Sequence, residues 1–133
     1  MKAGVLIFLT LLAAFRGVGM AEVVEGRSEE GRFVIKVHTE PAHPIVGANV
    51  VIVTILDGRS GIPLEGVIIE ATPWMTIHSH GSSKKTRIKE KGKGLYHVED
   101  VFFTMAGDWD LLLTLRKDAI EDKAIVTFKN VKK

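Results

Sequence analysis

The sequence contains no cysteine. That excludes a disulfide-stapled scaffold and any thiolate-ligated metal site. It also lacks a Gly-x-Ser-x-Gly elbow and a Gly-rich phosphate loop, and no serine stands in a context that suggests a nucleophile. The chain is short for an enzyme cleft, so it reads as a binding protein and not an enzyme. No apolar run is long enough for an ordinary membrane-spanning helix, which needs roughly 20 residues. The longest, Ala3 to Phe15, is closed by Arg16.

Charge of one sign is missing too, once the N-terminus is set aside. The 18 Lys and Arg of the chain become 16 without Lys2 and Arg16, against 16 Asp and Glu. A nucleic-acid partner is therefore not expected. Basic residues concentrate at Lys84, Lys85, Arg87, Lys89, Lys91 and Lys93, interrupted by Glu90 and two glycines. This pattern reads as a solvated hairpin, with a patch for an anionic surface as the alternative.

What the N-terminus does have is the layout of an export signal. Met1-Lys2 gives a positive start, Ala3 to Phe15 an uncharged apolar run, and Gly19-Met20-Ala21 small residues for a peptidase. Residues 1–21 are thus expected to be a signal peptide cleaved after Ala21, with an uncleaved anchor as the alternative. The protein would be periplasmic or otherwise extracytoplasmic, and peripheral to the membrane at most. Residues 22–31, polar and charged, read as a flexible N-terminal segment.

Residues 32–133 alternate with a period of two and are rich in β-branched side chains. The pattern predicts strands over Arg32–Glu40, Asn49–Asp57, Val67–Thr72, Lys84–Glu90, Leu95–Phe103, Trp109–Arg116 and Asp122–Val131. Pro73 is expected to interrupt the third, and the lysines of the fourth mark it as an edge. Seven strands with polar turns between them and no convincing helix indicate an all-β, antiparallel, immunoglobulin-like β-sandwich.

One cluster stands out: Pro73-Trp74-Met75-Thr76-Ile77-His78-Ser79-His80-Gly81. Neutral imidazole is a common metal ligand, and a thioether suits copper(I). Two histidines separated by one residue lie on the same side of a strand. A thioether and two imidazoles in an exported, thiol-free chain are the donors of a copper site. Strict alternation gives a different picture: Met75 and Ile77 would be core, and both histidines would face solvent. Met75 joins a site only if the strand twists, bulges or ends near Pro73 or Ser79. Met105, in a turn near Trp109, and His97 are further candidate ligands. Trp74 is either core or a ring beside the ion. If the chain binds no metal, it is an accessory module docking on an envelope protein, and Trp74, Lys84 and Lys85 are its candidate contacts.

The second half resembles a known family. Gly94-x-Tyr96, followed by Val101-x-Phe103-x-Met105-x-Gly107-x-Trp109-x-Leu111, is similar to the closing motif of the YtkA-like/FixH-like domains. Their earlier signature is Met-Pro-x-Met-x-His. Met75 stands for its first Met, Thr76 for its Pro, His78 for its second Met and His80 for its His. The resemblance implies an extracytoplasmic immunoglobulin-like sandwich that handles copper, some relatives serving assembly of haem–copper oxidases. It implies Met75, His78 and His80 as ligands, and delivery of the ion to an envelope protein acceptor. The imidazole of His78 in a thioether position leaves zinc open beside copper.

Overall fold

The computed structural model describes Thr10–Leu12 and residues 23–133. The expected signal peptide otherwise lies outside the described residues. The strands are β1 (Thr10–Leu12), β2 (Val23–Arg27), β3 (Phe33–Glu40), β4 (Gly47–Asp57), β5 (Ile68–Met75), β6 (His80–Gly81), β7 (Arg87–Gly92), β8 (Leu95–Phe103), β9 (Gly107–Lys117) and β10 (Ile120–Val131). They form a six-stranded sheet, β1-β2-β3-β4-β8-β7, and a four-stranded sheet, β10-β9-β5-β6. Every pairing between neighbours is antiparallel.

The expected β-sandwich is therefore present, with more strands than the seven counted from the sequence. The period-two residues supply its core. Phe33, Ile35 and Val37 of β3, Val51, Val53 and Ile55 of β4, and Leu111, Leu113 and Leu115 of β9 are all buried between the sheets. Burial of such side chains is worth about 1.5–3 kcal/mol each, which explains a stable chain without disulfides. The lysine-rich strand is indeed an edge: β7 has β8 as its one neighbour.

Two expectations are corrected. The segment 22–31 is not a flexible lead-in over the described residues. Val23–Arg27 pairs with β3, and the turn after it is fastened to β10. The buried carboxylate of Asp122 accepts from the Ser28 hydroxyl at 2.6 Å and from the backbone N–H groups of Glu30 at 3.0 Å and Arg32 at 3.2 Å. Local charge content hid this, because the acceptor that orders the turn stands on the last strand.

The other correction concerns Pro73, which does not break its strand. β5 runs through it to Met75, with Pro73 opposite Leu111. Thr86 Oγ1 donates to the Ala71 carbonyl at 2.8 Å, so the backbone of Ala71 and of every second residue from it faces away from β9. The N–H that Pro73 lacks would point to that side, and β6 pairs only with Trp74 and Met75. No ladder bond is lost there.

The long connection before β5 is held by Tyr96. Its buried hydroxyl donates to the Leu64 carbonyl at 2.8 Å and accepts from the Val67 N–H at 3.0 Å. Burial pushes the phenol above its ordinary pKa, with Glu90 and Glu65 adding to the shift and the Val67 bond opposing it.

Candidate metal centre

β5 ends at Met75, and a single 3-10 turn, Thr76–His78, follows. Ser79 takes the left-handed conformation, φ 53°. That reversal brings the chain back so that His80 pairs with Met75 and Gly81 with Trp74. The strand thus ends where a metal site requires it to. Residues directly opposed in an antiparallel pair project from the same face. Met75 and His80 therefore share the inner face of the four-stranded sheet, an arrangement that strict alternation along one strand forbids. Ile77, expected in the core by alternation, sits at the tip of the turn and is 76% exposed.

The thioether is enclosed. Met75 is 2% exposed and belongs to the core. Its methyl group packs on Gly107, where a Cβ would come within 2.7 Å of Met75 Cε. Gly107 has φ +134°, a backbone conformation that side chains disfavour, so two independent constraints call for glycine there. Trp109, 1% exposed, forms the neighbouring wall. Its indole N–H donates to the Met105 carbonyl at 2.9 Å, and its ring lies 5.1 Å from that of Phe103.

His80 is half-buried and meets Trp109 edge-on, ring centroids 5.9 Å apart. His78 is exposed and stacks on His80 at 5.8 Å. The turn that carries His78 is tied down from outside. Thr76 donates its hydroxyl to one oxygen of Asp110 at 3.0 Å, and Thr127 donates to the other at 2.8 Å. Nothing in the sequence pattern flagged Asp110. Its role depends on the register that sets it opposite Trp74 and Thr127 on the outer face.

The expected ligands are thus partly brought together. Met75, His78 and His80 converge at one end of the sandwich. Met105 lies at the same end, 39% exposed in the connection before Gly107, with its carbonyl fixed by Trp109. His97 does not join them. It stands mid-strand on β8, opposite Ile52 and Lys89, while its neighbours Tyr96 and Val98 fill the core. It therefore points from the outer face of the other sheet.

Trp74 is not beside the site either. It faces outward opposite Asp110, half-buried, with Gly81 against its ring. The tryptophan that walls the histidine is Trp109. Lys84 and Lys85 are exposed in the crossing from β6 to β7, and among the described residues no carboxylate lies within ion-pair distance of either.

Among the described residues, no three His, Cys, Asp or Glu side chains lie close enough to share an ion. A metal held at this end by three side chains of the described residues would need a thioether among them. Met75, His80 and His78 offer one enclosed thioether, one half-buried imidazole and one exposed imidazole, donor types that suit copper(I).

No curated protein and no solved structure matches the chain. A family model described as YtkA-like does match, over residues 27–114. That span is more than half of the sequence and includes β5, the Met–His turn and the Gly107–Trp109 corner that packs on it. The chain belongs to the YtkA-like family.

Proposed function

We infer that this protein is an exported copper carrier of the cell envelope, not an enzyme. Met75, His78 and His80 hold the ion, and Met105 is the next donor within the same end of the fold. The observation that carries this reading is the opposition of Met75 and His80 across β5 and β6, with His78 stacked on His80 at 5.8 Å. It supports a site in which a buried thioether and two imidazoles serve one ion. The half-exposed site supports carriage and transfer, because an acceptor's ligand enters from the open side and takes the ion stepwise. Copper is cargo here. The enclosed thioether favours copper(I), and the two imidazoles keep zinc as a competitor.

The test is a titration of the purified chain with copper(I) under reducing conditions against a competing chelator, with copper(II) and zinc alongside. One copper(I) ion is expected to bind. Met75→Leu conserves volume and is expected to alter stability by less than about 1.5 kcal/mol while abolishing copper(I) binding. His78→Ala combined with His80→Ala is expected to abolish it as well. Binding of none of the three ions sinks the reading. The protein is then an interaction module, with Met75 simply a core residue.

A further inference from the structure

The two ends of the sandwich differ in chemistry. At the end remote from the Met–His turn every connection carries charge: Glu29 and Arg32 between β2 and β3, Arg59 between β4 and β5, Lys93 between β7 and β8, and Asp118 between β9 and β10. At the Met–His end the connections are residues 41–46, 76–79 and 104–106, and none holds Asp, Glu, Lys or Arg. In a chain that is 26% charged, surface connections are where charge belongs. Both ends expose apolar side chains, but at the remote end Ile62, Ile68 and Ile120 stand among charged connections, whereas here Ile45 at 39%, Ile77 at 76% and Met105 at 39% stand on connections without charge. Ile77 is the most exposed large hydrophobic among the described residues.

Lysines flank this face. Lys132 is bridged to Ile45, and its carbonyl accepts from the Val46 N–H at 2.9 Å. Lys133 follows it, and Lys84 and Lys85 lie just beyond β6. Among the described residues none of the four is in an ion pair. The carboxylates of Asp110 and Asp108 keep their charge but are held by neutral donors away from these lysines. Asp110 accepts from Thr76 and Thr127, and Asp108 accepts from the Asn130 N–H at 2.9 Å. Glu40, just before residues 41–46, is a further acid at this end.

We propose that this end of the sandwich docks on an anionic lipid surface, with Ile45, Ile77 and Met105 entering the interfacial layer and the lysines meeting the headgroups. Separate apolar tips on three connections suit a deformable layer. Apolar burial and headgroup attraction add in such binding. The orientation follows directly: the Met–His turn faces the membrane, and the charged end faces water. This inference does not depend on metal binding.

The absence of cysteine makes the test direct. Ile77→Cys, Met105→Cys and Ile62→Cys each provide one attachment point for an environment-sensitive dye on the full chain. Ile62 is 60% exposed and lies in the β4–β5 connection at the opposite end. Each protein is mixed with vesicles of phosphatidylcholine alone or of phosphatidylcholine with phosphatidylglycerol. The apolar N-terminal run is common to all three, so its own lipid affinity cancels in the comparison of positions. The expected result is a blue shift of emission at positions 77 and 105 on phosphatidylglycerol-containing vesicles and none at position 62. Lys132→Glu with Lys133→Glu is expected to reduce the shift severalfold. No shift at 77 and 105, an equal shift at 62, or the same shift on phosphatidylcholine alone overturns the proposal. A dye at 77 that stays in water on every vesicle leaves this face to a protein partner.

Discussion

Gly107 and Met75 are packed so that the glycine's missing side chain is the space the methionine methyl occupies: a Cβ at position 107 would sit 2.7 Å from Met75 Cε. The glycine of the Gly107-x-Trp109 corner therefore does two things. It allows φ +134°, and it fixes how deep the thioether sits. Gly107→Ala is expected to destabilise the fold by about 1–3 kcal/mol through backbone strain alone. It is also expected to displace Met75, and so to weaken copper(I) binding beyond what the loss of stability explains. Thermal unfolding and metal titration on the same variant separate the two. Unchanged affinity in a folded Gly107→Ala protein would show that the depth of Met75 is irrelevant to the site.

Most of the sandwich could be read from alternation. Alternation gives Leu95–Phe103 to the residue, and β3, β4, β9 and β10 to within two residues, because most of their inward positions are large apolar side chains, as in Phe33, Ile35 and Val37 or Leu111, Leu113 and Leu115. Where the reading failed, the cause was a contact distant in sequence. Residues 22–31 look unstructured until Asp122 is seen to collect their donors. Pro73 looks like a strand break until the fold leaves that side of β5 without a ladder partner. The site was legible as a set of donors but not as a geometry. Met75 and His80 differ by five positions, which on one strand puts them on opposite faces. The left-handed Ser79 between them turns the chain so that they share one. His97 had the right chemistry on the wrong face, and periodicity could not say which sheet β8 joins.

Asp122 is expected to be among the side chains to which stability is most sensitive. Removing a buried acceptor costs about 1–3 kcal/mol for a buried donor left without a partner. Asp122→Ala leaves the Ser28 hydroxyl with the Phe33 carbonyl as its remaining acceptor and releases the amides of the exposed Glu30 and Arg32, so a loss of about 1–3 kcal/mol is expected. Asp122→Asn conserves shape but turns donors toward donors, and it should destabilise nearly as much. Hydrogen exchange is the check. The amides of Glu30 and Arg32 should lose protection first, while those of β4 and β8 keep theirs. Uniform loss across both sheets would mean that the turn at residues 28–32 is not a separable unit.

Tyr96 predicts an alkaline limit to stability. Its hydroxyl closes the β4–β5 connection through the Leu64 carbonyl and the Val67 N–H, and its folded pKa is raised above the ordinary tyrosine value of about 10. For a group whose folded pKa is raised, the stabilisation is complete below the unfolded pKa and is lost as pH rises through the folded one. Ionisation would place a negative charge in a buried site next to the Leu64 carbonyl, which already occupies the donor direction of the phenol. The chain should therefore hold constant stability through neutral pH, as far as Tyr96 contributes, and weaken above pH of about 10. Tyr96→Phe removes both hydrogen bonds and should lose about 1–2 kcal/mol at neutral pH, while flattening the alkaline decline. Denaturant unfolding of the two proteins across that pH range is the measurement. Parallel curves would assign the decline to the lysines instead and leave Tyr96 a purely structural clasp.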